Sequence, residues 1–237
     1  MSELIRPSTV LPANRRPITI STSDGLKLIG EVATPIGERK ATILCFHPLP
    51  THGGMMDSHI LKKAAYRLPA MAGLEIIRFN TRGTTSEAGT SEGEFGGGDS
   101  ERFDVEAAIE YAVTVAGATN LWVLGWSFGT DLALRHARDS RVKGLILLSP
   151  PLRTTQQSDL DFWAADGRPI IALIPEHDDY LKPAEAALAF ASVPHITLIN
   201  VDDAKHLWVG EPSVYRVLSE ITKLLSPQSL PLPTEVN

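Results

Sequence analysis

A chain of 237 residues, 43% hydrophobic and 21% charged, is long enough to bury one large core without disulfides or a metal to hold it together. Its net charge of −6 disfavours nucleic acid or an anionic membrane as the main partner, since either selects a basic face. A single cysteine, Cys45, excludes an internal disulfide, no apolar run reaches the roughly 18 residues of a membrane span, and the first residues lack a secretory core, so the expectation is a cytoplasmic protein.

The first elements form a strand pair. PITIST (17–22) and LKLIGEVAT (26–34) are joined by Ser-Asp-Gly, which predicts an antiparallel hairpin. Continuous apolar runs follow at 41–46, 74–79, 121–126, 142–148, 169–175 and 196–201, the pattern of strands buried on both faces of a parallel sheet. Helical spacing between them predicts helices over 58–71, 102–116, 128–138, 183–192 and 212–225. The Gly/Ser/Thr/Glu-rich stretch from Thr81 to Ser100 reads as a flexible polar loop. The connection from Ser149 to Arg168 has room for a short helix, with Phe162 and Trp163 as pocket wall, and for no separate lid. This alternation predicts a three-layer α/β fold: a mostly parallel sheet of about eight strands, an antiparallel N-terminal hairpin and a minimal cap. Residues 1–226 make one domain, and the proline-bearing residues 227–237 make an extended tail.

Ligands of such sheets bind beyond the carboxyl ends of the strands, which says where chemistry belongs. Two stretches match the nucleophile pattern Gly-x-Ser-x-Gly: GTSEG (89–93) and GWSFG (125–129). Ser127 lies where the apolar run NLWVLGW meets the amphipathic FGTDLALRHARDS, the strand–turn–helix context of a nucleophile elbow. Ser91 lies in polar loop sequence with no strand immediately before it. Ser127 is therefore the candidate nucleophile.

A serine hydroxyl needs a base, commonly a histidine held by a carboxylate, and in this kind of sheet the chain order is serine, acid, histidine. His206 follows the last strand and precedes the last helix, at the correct edge. His195 precedes a strand, at the wrong end, and His177 adjoins the acid candidates. IIALIPEHDDYLKP supplies Glu176, Asp178 and Asp179 just past a strand end, with Asp202 and Asp203 as weaker options. Backbone donors for an oxyanion fall at Phe128, directly after the serine, and at Leu49 in HPLPTHGG, where Pro48 and Pro50 have no N–H. His47, His52, Asp57 and His59 are metal-ligand types without a ligand spacing of known mechanics, and His47 reads as shaping the Leu49 turn. The glycines at 83–98 lack the Gly-Lys-Ser/Thr ending of a phosphate loop. Cys45 reads as core.

These residues resemble the α/β-hydrolase superfamily. FHPLPTHGGMMD resembles the His-Pro-x-Pro…Gly-Gly turn of a group of small bacterial, lid-less members, and RFNTRG with the later SEG resembles that group's segment after the fourth strand. PEHDDYLKP is similar to the superfamily's Gly-x-x-Asp-x-x-Val-Pro acid turn, which aligns Asp178 with the acid and puts Pro175 where glycine is usual. The resemblance runs from about Ile18 to Leu225. It implies a serine hydrolase with Ser127, Asp178 and His206 as its triad; it does not imply the substrate. The expectation is an enzyme that needs no cofactor or metal and acts on a small-molecule ester, thioester or amide. Two rivals stand beside it. One is a catalytically idle fold that binds a ligand or protein; the other is an acyltransferase using the same triad.

Overall fold

The computed structural model describes residues 3–236. Eight strands form the central sheet: β1 (Asn14–Ser21), β2 (Lys27–Thr34), β3 (Ala41–Phe46), β4 (Leu74–Phe79), β5 (Leu121–Trp126), β6 (Val142–Leu148), β7 (Ile170–His177) and β8 (Ile196–Lys205). Their order across the sheet is β8-β7-β6-β5-β3-β4-β2-β1. The pairs β1–β2 and β2–β4 are antiparallel and every other pair is parallel, as the hairpin and the apolar runs predict.

The runs are largely apolar because both faces of the sheet are covered, and the charged Glu75 and Arg78 of β4 are buried in ion pairs with Arg39 and with Glu31 and Asp57. Along β3, Leu44 and Phe46 enter one core while Ile43 and Cys45 enter the other, the two-residue alternation of a strand. The first core is closed by α2 (Arg102–Glu110), α3 (Phe128–His136), α4 (Gln157–Asp166) and α5 (Pro183–Ala189). The second is closed by α1 (His59–Ala72) and α6 (Glu211–Leu225). The result is three layers. On α6, Val214, Val217, Leu218 and Ile221 are buried, which is its helical apolar stripe turned inward.

Three expectations need correction. The helix predicted over 102–116 is not uniform: α2 ends at Glu110, and Tyr111–Val115 continue as a π-helical turn closed by Ala116 N–H on Tyr111 O (3.0 Å). Side-chain periodicity does not register the extra residue of that turn. Trp163 is not pocket wall. It is fully buried and donates its indole N–H to Leu134 O (2.8 Å), tying α4 to the side of α3. Finally, the 81–100 stretch is not a loose loop. Thr85–Ser86 pairs with Gly89–Thr90, and Ser91 is buried, with its Oγ donating to Asn80 O (2.8 Å) and accepting from Ile29 N–H (3.0 Å). Its polarity serves internal hydrogen bonds, which composition does not reveal.

Past α6 the chain makes a short 3₁₀ turn at Pro227–Ser229 and buries Leu232, and Glu235–Val236 pairs with Glu3–Leu4. Among the described residues, no helix is long and apolar enough to cross a membrane.

Candidate active site

The strands β5, β6, β7 and β8 are neighbours in the sheet and parallel, so the loops leaving their carboxyl ends converge. Those loops hold Ser127, residues 149–156, Asp178 and His206.

Ser127 sits between β5 and α3 with φ 52° and ψ −120°, a backbone conformation a non-glycine residue holds only when its surroundings over-determine it. The flanking glycines explain how. A Cβ on Gly125 would lie 2.4 Å from Gly129 O, and one on Gly129 would lie 2.2 Å from Phe46 O, so the turn closes only without side chains there. Ser127 N–H bonds Leu148 O (2.9 Å), fixing the elbow to β6. Its side chain stands clear of the sheet edge, half-buried.

His206 Nε2 lies 2.8 Å from Ser127 Oγ, and its Nδ1 lies 2.9 Å and 3.1 Å from the two oxygens of Asp178. With Nδ1 protonated and donating to the carboxylate, Nε2 is left to accept from the serine hydroxyl. Asp178 is 2% exposed, and its Oδ1 also accepts from Tyr180 N–H (2.8 Å) and Leu181 N–H (3.2 Å). Burial by itself would raise its pKa. The hydrogen bonds from His206 and Tyr180, with the attraction of the imidazole, outweigh burial and hold it below the usual carboxylate range.

The histidine loop is clasped from beneath. The carbonyl of His206 accepts from Ser149 Oγ (3.1 Å) and from the Trp126 indole (3.2 Å), while Ser149 Oγ accepts from the Trp208 indole (2.9 Å). His59 completes the support, edge-on to Trp126 and with Nε2 3.1 Å from Trp208 O. The sequence carries no sign of the part Ser149 plays here. A serine 57 positions from the histidine it supports carries no local signal.

The two expected backbone donors are unengaged. Among the described residues, neither Leu49 N–H nor Phe128 N–H has a hydrogen-bond partner. The Leu49 turn folds back on itself, with Leu49 O accepting from His52 N–H and Gly54 N–H (3.0 Å each). Gly54 must be glycine, since its Cβ would lie 2.0 Å from Pro48 O. His47 is fully buried. Its Nδ1 lies 2.7 Å from Pro48 O and its Nε2 accepts from Thr81 N–H (3.1 Å), bracing the turn. Burial pushes its pKa down to about 4, so the ring is neutral in that role.

The other expected groups lie apart. Asp179 and His177 are exposed, and His195 lies before β8 at the far end of the sheet. Glu176 is exposed and accepts from Asp203 N–H (2.8 Å), shaping the loop ahead of His206. Asp57 pairs with Arg78, His59 with Trp208 and His47 with Pro48, so these three ligand-type residues serve structural contacts, while His52 is exposed. Cys45 is buried and its thiol is pushed up to about 12 by desolvation. A cavity of about 280 Å³ lies between the Leu49 turn and the 83–95 segment, lined by Pro50, Gly54, Met55, Thr85 and Phe95. Phe95 packs edge-on against Phe128 (5.5 Å between ring centroids), which puts this cavity beside the elbow. A larger one, about 1040 Å³, runs along β1 and the ends of α2 and α3, away from Ser127.

Residues 41–166 match the family described as the alpha/beta hydrolase fold. Among solved structures, the chain is similar to an α/β serine hydrolase without lid from Xanthomonas campestris (24% identity, TM-score 0.74, covering 93% of this chain and 99% of that one). It is also similar to an α/β serine hydrolase homologue from Coxiella burnetii (21%, 0.75, 92% and 100%) and an esterase from Pyrococcus furiosus (17%, 0.74, 94% and 97%). At such identities the likeness is one of fold. No curated protein sequence matches.

Proposed function

The chain belongs to the α/β-hydrolase fold family, and from that premise we propose that it is a serine hydrolase cleaving a small ester, thioester or amide through an acyl-enzyme. The observation that carries this reading is the unbroken series from Ser127 Oγ through His206 to Asp178.

In this reading Ser127 Oγ attacks the substrate carbonyl as its proton passes to His206 Nε2. The carbonyl π electrons move onto oxygen, and that oxyanion accepts hydrogen bonds from Leu49 and Phe128 N–H, helped by the positive end of α3. Collapse of the intermediate expels the alcohol, thiol or amine, which takes the proton from His206. Water then attacks the acyl-serine with His206 again as base, releasing the acid and restoring the hydroxyl. Asp178 keeps the Nδ1 proton in place and stabilises the imidazolium that forms twice per cycle. Every group required belongs to the chain, so no cofactor enters the scheme.

A fluorophosphonate probe tests it. The wild type labels at Ser127 and hydrolyses short 4-nitrophenyl esters, whereas Ser127→Ala does neither. Labelling that persists in Ser127→Ala, or a folded wild type that labels nowhere, would leave the fold as a binding module.

A further inference from the structure

The loop between β6 and α4 lies at the same sheet edge as Ser127, and one of its side chains has no explained role. Arg153 is exposed, and its guanidinium carbon lies 4.7 Å from the centre of the Tyr180 ring. That ring in turn packs edge-on against His206, 4.6 Å between centroids. One aromatic ring thus separates a guanidinium from the imidazole that faces Ser127.

The arginine is held there by its backbone. Asp131, buried on α3 four residues beyond Ser127, accepts from Thr154 N–H (3.1 Å), Thr155 N–H (2.9 Å) and Thr155 Oγ1 (2.6 Å), with Arg153 N–H at 3.4 Å. Leu152, just before it, has φ 50°, a turn that a leucine adopts only under constraint. The loop is therefore registered to the same helix that begins at the elbow. Several other arginines are neutralised by carboxylates: Arg78 by Glu31 and Asp57, Arg82 by Asp24 and Asp104, Arg168 by Asp166. Among the described residues, Arg153 has no carboxylate within ion-pair distance and its side chain makes no hydrogen bond. Stacking on Tyr180 orients the planar fork and leaves its N–H edge open, the arrangement that receives a carboxylate in two parallel hydrogen bonds.

We propose that Arg153, stacked on Tyr180, is a substrate-binding residue that selects esters or thioesters carrying a carboxylate a few carbons from the scissile carbonyl. In a chain of net charge −6 a local cation at the rim is also what lets an anionic substrate approach. This rests on the serine-hydrolase reading, and the test separates the two.

The probe substrates are the 4-nitrophenyl monoester of adipic acid, its methyl-capped diester, and 4-nitrophenyl hexanoate. They share the acyl length, and the first two differ by one negative charge. The wild type is expected to favour the free acid over the capped diester about five- to tenfold in kcat/KM at low salt, a rim-sized electrostatic effect. The ratio should fall towards 1 in Arg153→Gln, reverse in Arg153→Glu, and shrink for the wild type in 0.5 M NaCl. Thermal melting confirms that each variant folds, and fluorophosphonate labelling of Ser127 reports the triad separately. A labelled wild type with no preference, or a preference that survives Arg153→Gln, overturns the Arg153 assignment alone. A folded wild type that neither labels nor hydrolyses any of the three overturns the hydrolase reading and this one with it.

Discussion

Asp178→Asn isolates one oxygen and one proton. In the wild type, Oδ1 of Asp178 is the oxygen fixed by the backbone, taking Tyr180 N–H at 2.8 Å and Leu181 N–H at 3.2 Å. Asparagine has a single oxygen, and those two donors claim it, because turning the amide over would face N–H groups against N–H groups. The amide NH₂ must then point at His206 Nδ1, now 2.9 Å from a donor in place of an acceptor. Nδ1 can respond only by giving up its proton, which moves to Nε2. That nitrogen faces Ser127 and can no longer accept from it. The expected loss in turnover is about 10⁴, the scale of the same change in a serine protease, or roughly 5 kcal/mol of barrier. Asp179→Asn, an exposed neighbour, should stay within a few-fold. Hydrolysis of 4-nitrophenyl butyrate near neutral pH measures both. An Asp178→Asn protein within tenfold of wild type, or a reversed pair of results, would show that this carboxylate does not set the tautomer. A second consequence concerns acid. A carboxylate held below its unfolded pKa contributes stability that is present above the unfolded value and is lost as pH falls through the folded one. The acid limb of wild-type stability should thus be steeper than that of Asp178→Asn, as unfolding midpoints between pH 6 and 3 would show.

Ser91→Ala should label with fluorophosphonate at the wild-type rate yet lose about 2 kcal/mol of stability, read from denaturant midpoints, because Ile29 N–H and Asn80 O lose their partner in a buried place. Gly129→Ala sets a methyl 2.2 Å from a backbone oxygen that cannot yield, so it should cost about 1–3 kcal/mol and slow labelling of Ser127 by about 10², as melting and probe kinetics would report. Cys45 should resist iodoacetamide in the native protein and react only when denaturant unfolds it, since its thiol is both buried and pushed up to about 12.

The sheet was legible in the sequence because strands covered on both faces are apolar at most positions, and such runs stand out between helices with one apolar stripe. The runs at 41–46, 74–79, 121–126 and 142–148 coincide with strands to the residue. The turn at Ser127 was legible for the same reason: its needs are local, two glycines between a strand and a helix. What escaped depends on distant partners. Ser91 looks polar and mobile until Ile29 and Asn80 are brought to it, and Trp163 looks like pocket wall until Leu134 receives its N–H. Asp131 reads as an ordinary helix aspartate, and only folding shows that it fastens the backbone around Arg153. The π turn after Glu110 preserves the apolar spacing well enough to pass for helix.

The short connection between β6 and β7 has a kinetic consequence. Its one helix, α4, lies against the flank of α3 and is anchored there by Trp163. In the proposed hydrolase, no helix of that connection would have to swing aside before a substrate reaches Ser127. On that reading, water for deacylation would need no gate in this connection to open. In the proposed hydrolase a site without a separate cap would also admit an acyl group presented at the end of a bulky carrier, whose body can remain in solvent while the ester end reaches Ser127. Selection among substrates then falls to fixed side chains at the mouth, met before the ester bond arrives at the elbow.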